Sequence, residues 1–172
     1  MLSRRAVVLA AGLSVLLVVG VIVASRLFSA AGPDAAPPTP VALVPVDAPQ
    51  AGSAPCATLI AALPAELTSG GAVLHRLPLA EPAPPATLAW GGGTGDPVVL
   101  RCGLNKPPEL APDAGLREIS GVSWLPVTGE LSTTWYLVGR PVYAALTVPA
   151  GSGTGVLQEV SERVGRSLPA SP

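Results

Sequence analysis

The chain has 172 residues, room for one domain with appendages, and only 12% of them are charged against 49% hydrophobic. Formal net charge is −1, and from Leu27 onward 7 basic side chains stand against 11 acidic ones, a balance of −4 that excludes a basic surface for nucleic acid or an anionic polymer. Aromatics are 3%, with 21 Pro and 19 Gly, so the hydrophobic figure reflects Ala and Val and the core is lean.

Ala6 to Ser25 carries no charge and is long enough as a helix to cross a bilayer core of roughly 30 Å. Arg4 and Arg5 precede it and Arg26 alone follows, which orients the amino terminus inside and the rest of the chain outside. The competing reading is a cleaved signal peptide with Ser29-Ala30-Ala31 as its small-residue site, but this apolar run is longer than the usual secretory core. No cysteine follows the run, so nothing supports a lipoprotein anchor. Ser29 to Pro55 has prolines at 33, 37, 38, 40, 45, 49 and 55 and reads as a semi-rigid, extended stalk.

After Pro55, apolar residues at 59, 60 and 63 predict a helix of about two turns that starts near Cys56 and stops at Pro64. Val73 to Leu77 suggests a short strand, Pro78 to Pro85 a loop, and Thr87 to Trp90 leads into the flexible run Gly91 to Gly95. Asp96-Pro97-Val98-Val99-Leu100-Arg101-Cys102-Gly103 reads as the central strand, with Val98, Leu100 and Cys102 on one face and Val99 and Arg101 on the other. Residues 104 to 115 hold three prolines and form a loop. Three further strand-like runs follow, Ile119 to Leu125, Leu131 to Val138 and Val142 to Val148. They are broken at Pro126 to Glu130 and at Gly139-Arg140, the second break being short enough for a two-residue hairpin turn. Val156, Leu157, Val160, Val164 and Leu168 then trace the apolar stripe of a helix that Pro169 ends.

The expected product is an α+β domain: a small antiparallel meander whose one face carries a short N-terminal and a longer C-terminal helix. The boundaries are 1–28 for the cytoplasmic tip and transmembrane helix, 29–55 for the linker and 56–170 for the domain. In an exported chain the only two cysteines, Cys56 and Cys102, are expected to pair, stapling the first helix to the central strand.

Chemistry-bearing patterns are sparse. His75 is the sole histidine, with no Gly-x-Ser-x-Gly element and no second ligand cluster, so no catalytic triad, metal or cofactor is expected. The glycine run before Asp96 lacks a Gly-Lys-Ser/Thr ending and precedes a strand, unlike a phosphate loop. Glu109, Asp113, Glu118 and Glu130 could supply a carboxylate pair only if the fold brings two together. Arg101, mid-strand, and Arg140, in a tight turn, could each hold a carboxylate, either a neighbouring Asp or Glu or a ligand's. Trp90, Trp124 and Trp135 are most simply core residues, though an exposed pair would point to sugar or peptide stacking, and Trp90 joins the two arginines as a weak ligand-binding candidate.

Cys56 with Leu59 and Leu63-Pro64, Trp90-Gly91, the Asp96 to Gly103 run, Val122 with Trp124, Trp135 with Val138-Gly139-Arg140, and Val148-Pro149 together resemble the actinobacterial membrane-anchored family of domain of unknown function 3515. The resemblance spans about Pro45 to Pro169 and implies an exported, tethered domain, without any assigned activity. The sequence thus reads as a single-pass cell-membrane protein, its outer domain a non-catalytic binding module for an envelope protein or wall component. An envelope hydrolase using dispersed carboxylates, or a small-ligand carrier, are the alternatives.

Overall fold

The computed structural model describes residues 17, 19–21, 38–92 and 95–171. It divides into two compact units, Met1–Pro38 and Thr39–Pro172. In the first unit the described residues Leu17, Val19, Gly20 and Val21 are helical and exposed, and the rest of the Ala6 to Ser25 anchor lies outside the described residues. Among the described residues no helix is long and apolar enough to cross a membrane.

The second unit begins with helix α1 (Ala54–Ala62) and ends with helix α2 (Gly155–Ser167). Between them run β1 (Glu66–Ser69), β2 (Ala72–Leu77), β3 (Thr87–Gly91), β4 (Val98–Leu104), β5 (Arg117–Ile119), β6 (Val122–Thr128), β7 (Ser132–Val138) and β8 (Tyr143–Pro149). These form one antiparallel sheet in the order β1-β2-β3-β4-β8-β7-β6-β5. It is two consecutive four-strand meanders joined where β4 meets β8, so β4 is central as expected. The α+β class and the meander hold, but the sheet is larger than the sequence suggested.

Each helix has a local cause. Ser53 caps α1, its hydroxyl accepting from the Cys56 N–H at 3.5 Å, and Pro55 stands in the first turn, where a missing N–H costs nothing. In α2 the predicted stripe is buried: Val156, Leu157, Val160 and Val164 face the sheet. The core joins these residues and Cys56, Leu59 and Leu63 of α1 to Trp90, Val98, Leu100, Cys102, Val122, Trp124, Leu137, Ala144, Leu146 and Val148 of the sheet. Period-two alternation places those strand residues on a single face, and burying a Leu or Val there contributes about 1.5–3 kcal/mol.

Four boundaries differ from expectation. β1 and β5 are short edge strands with only four and three residues, too few to set up a readable alternation. Thr87 to Trp90 is paired as β3, not a lead-in to a loop. Pro126 lies inside β6, opposite Trp135, and does not break it. β5 pairs β6 only as far as Trp124, so Pro126 sits where β6 is an edge strand and a missing N–H is tolerated. The β7–β8 connection is longer than a two-residue turn: Gly139 to Val142 is irregular and the last paired residues are Tyr136 and Ala145.

The opposite face is also largely covered, with Ala89, Val99, Leu125 and Ala145 buried. Two irregular segments approach this side: the β4–β5 connection, whose Glu109 lies near Tyr136, and residues 41–50, whose Val44 meets Arg101. Val41 donates to Pro78 O and accepts from Ala80 N, both at 2.9 Å, Val44 O accepts from Arg101 Nη2 at 3.5 Å, Asp47 Oδ2 accepts from Asn105 Nδ2 at 2.7 Å, and Gln50 donates to Gly103 O at 3.0 Å. This strap belongs to the stretch read as stalk, and from Thr39 onward it forms part of the compact unit.

Candidate functional site

The second half of β4 is an attachment point. Cys102 and Cys56 are bonded, with Cα atoms 5.6 Å apart and both residues fully buried, so the bridge staples α1 to the central strand. The next residue, Gly103, has φ +89° at a register shift between Cys102 and Leu104. A Cβ there would lie 2.2 Å from the Ala51 backbone nitrogen, so the position needs glycine both for its dihedral and for the strap's passage. Arg101, on the other face, meets no carboxylate among the described residues. Burial lowers its pKa from the ordinary guanidinium value, and its Nε is buried without a partner.

Arg140 also meets backbone in place of a carboxylate. It donates from Nη1 to Leu168 O at 2.7 Å and from Nη2 to Gly121 O at 3.2 Å, tying the end of α2 to the β5–β6 turn. A cation at a helix carboxyl end is favourable for the unpaired carbonyls there. Arg76, which sequence reasoning passed over, does the same for α1: Nη2 donates to Leu63 O at 3.0 Å and Pro64 O at 2.7 Å. Its guanidinium lies 5.0 Å from the centre of the Trp90 ring. The only available signal was an arginine in a short strand that is apolar apart from it and His75.

The three tryptophans differ in use. Trp90 is fully buried and donates its indole N–H to Pro64 O at 3.0 Å. Trp124 is equally buried and donates to Ser161 Oγ at 2.8 Å, and Ser161 in turn donates to Leu157 O at 2.6 Å. Trp135 is only partly buried, and its N–H meets no side-chain or backbone acceptor among the described residues.

The location of Trp135 follows from how α2 crosses the sheet. Gly155, at its start, abuts the Thr68 carbonyl of β1, whereas Gly165, near its end, abuts Val122 and Ser120 beside the β5–β6 turn. The helix therefore runs diagonally, over Val122 and Trp124, and leaves the far corner of the same face open. That corner is lined by Arg117 and Ile119 of β5, Pro126 and Thr128 of β6 and Thr133 and Trp135 of β7, with Glu118 at the edge, around about 430 Å³. Apart from Glu118 these residues share the helix-side face by strand alternation. A smaller depression of about 170 Å³ continues past Trp135 to Val148, Leu157 and the Ala150–Thr154 hinge. Trp135 and Thr133 form the wall between the two.

A third cavity of about 450 Å³ opens at the same end of the sheet, between the β1–β2 hairpin, the β3–β4 loop and the hinge, with Asp96, Ser69 and Ser152 as its polar side chains. His75 is exposed and pairs with Glu66 at 3.1 Å across β1 and β2. Among the described residues no three His, Cys, Asp or Glu side chains are grouped to hold a metal. Of the four acids considered above, Glu109 lies near Tyr136, whose pKa is raised first by burial and then by that carboxylate.

A family model described as protein of unknown function (DUF3515) matches residues 11–172. The chain belongs to the DUF3515 family. No curated protein and no solved structure matches it. Within this DUF3515 chain, the residues that carried the resemblance now have separable jobs. Cys56, Cys102, Gly103, Trp90 and Arg140 hold elements together. Trp135 alone among them is an aromatic side chain with open surface and an N–H that meets no acceptor among the described residues.

Proposed function

We propose that this chain is a membrane-tethered domain that binds a ligand or partner outside the cell through the open corner around Trp135, without catalysing a reaction. The tether rests on the sequence: Ala6 to Ser25 without charge, Arg4 and Arg5 ahead of it and one Arg behind. The binding role rests on one observation, a half-buried tryptophan whose N–H meets no acceptor among the described residues, in a lined depression that α2 leaves uncovered. A hydrolase is less well supported. Among the described residues Glu118 is the single carboxylate lining that corner, whereas glycoside cleavage needs two carboxyl groups facing each other across the bond.

A photo-crosslinking amino acid placed at Thr133 in the full chain, in living cells, tests this reading. Reproducible capture of one partner or one class of envelope material at that position, and not at an exposed position such as Asp113, is the expected result. Equal, unspecific capture at both positions would remove the support. Protease access to a tag after Ser171 in wall-stripped cells checks the orientation, and a protected tag refutes it.

A further inference from the structure

We infer that the open corner is a saccharide site: Trp135 stacks on the apolar face of one neutral sugar ring, while Thr128, Thr133 and Arg117 take up its hydroxyls. This rests on the binding role proposed above and assigns it a ligand class. Three features of the corner point the same way.

The first is the ring itself. Of the three tryptophans, two are sealed in the core with their N–H groups satisfied by Pro64 O and Ser161 Oγ. Trp135 keeps an accessible surface on both sides, toward the 430 Å³ depression and toward the 170 Å³ one, and its N–H meets no acceptor among the described residues. An indole offers a flat apolar surface and one polar edge. A pyranose ring presents the complementary pattern, C–H bonds on its face and hydroxyls around its rim.

The second feature is what surrounds the ring. Strand pairing sets Pro126 opposite Trp135 and Thr128 opposite Thr133, so two hydroxyls lie side by side two residues along the strands from the Pro126–Trp135 pair. Arg117, on the same face of β5, brings a planar fork of donors. Hydroxyls that donate and accept, beside a donor-rich fork, match a ligand whose polar groups are themselves hydroxyls. Among the described residues Arg117 and Glu118 are the charged side chains at this corner, one of each sign, with Glu118 at the strand edge.

The third is the number of aromatics. A proline-rich peptide, the main rival occupant, is gripped by grooves lined with several aromatic side chains. Here both tyrosines point away: Tyr136 is out of phase with Trp135 in β7, and Tyr143 is out of phase with Ala144 and Leu146 in β8. One tryptophan with a polar surround suits a single ring.

The test uses the full chain in detergent and saturation-transfer NMR on neutral tetrasaccharides of glucose, galactose, mannose and N-acetylglucosamine, with decaproline alongside. At least one tetrasaccharide is expected to receive saturation at its ring C–H protons. Trp135→Ala should weaken that binding by about tenfold or more, with Trp135→Phe recovering part of it. Because Trp135 also packs against the core, Thr128→Arg provides a second variant: it fills the depression from an exposed position and should abolish binding with the melting temperature unchanged. No saturation of any tetrasaccharide, or binding that both Trp135→Ala and Thr128→Arg leave intact, overturns the saccharide assignment. Binding of decaproline in place of the sugars also overturns it, while leaving the binding role standing. That role fails separately, by unspecific capture at Thr133 in cells.

Discussion

Replacing Cys56 and Cys102 together by alanine removes a bridge that closes a 46-residue separation between α1 and the central strand. The chain-entropy relation assigns a loop of that size about 4 kcal/mol at 25 °C. Unfolding entropy near 60 °C is about 2.1 cal/mol/K per residue, so a unit spanning residues 39–172 gains about 0.28 kcal/mol/K on melting. The ratio predicts a fall in Tm of about 14 °C, and the loss of two fully buried sulfurs adds to it. A stability of about 5–15 kcal/mol is normal for a domain, so the variant should fold at low temperature but melt early. Scanning calorimetry of the full chain, with and without reductant, is the assay. Wild type with reductant should melt near the variant, and the variant should ignore reductant. A Tm within about 4 °C of wild type in the double variant refutes the assignment of that stability to loop closure. Equal free-thiol counts in denatured protein before and after reduction would refute the bridge itself.

Gly103→Ala forces a Cβ into the Gln50–Ala51 backbone at a left-handed dihedral, and should cost about 2–3 kcal/mol from dihedral strain together with the displaced Gln50 bond. Hydrogen exchange at the Gln50 amide should then accelerate ahead of the sheet amides; uniform acceleration would argue against a strap that releases separately. Ser161→Ala leaves the buried Trp124 N–H without its acceptor and should destabilise by about 1–3 kcal/mol in urea melts, whereas a change below about 0.5 kcal/mol would mean the hydrogen bond is dispensable. Tyr136 has its pKa raised from 10.0, first by burial and then by Glu109, so the folded state keeps a proton that the unfolded chain gives up. Stability should therefore fall as pH rises above about 10. Glu109→Gln should bring the ultraviolet titration of Tyr136 down toward its ordinary value, and an unmoved titration would place that carboxylate elsewhere.

The parts of this fold that could be read in advance are those where one face of an element is uniformly buried. Val98, Leu100 and Cys102 alternate cleanly, and Val156 to Val164 recur at helical spacing, because each set meets the same core. Short edge strands carry no such record: β5 has three residues, and its place follows from β6 beside it. Pro126 looked like a break because the sequence cannot reveal which side of a strand is unpaired. The arginines misled in a different way. The charge of Arg101 and Arg140 suggested carboxylate partners, yet Arg140, like Arg76, which had drawn no expectation, serves backbone carbonyls at a helix end, a need set by where the helix stops. The open corner was legible only as a tryptophan in a strand, since its exposure depends on the diagonal path of α2, which no local pattern encodes.

The strap and the bridge together fix how this domain answers a pull on its amino-terminal side. Tension entering at Thr39 would first open the two bonds between Val41 and residues 78–80, then the Gln50 bond to Gly103. Unravelling would next reach α1 and halt at Cys56, where the covalent link passes the load into β4, the strand with neighbours on both sides in the middle of the sheet. The 17 residues from Thr39 to Pro55 thus act as a release length that can be paid out and wound back, while everything beyond Cys56 remains folded.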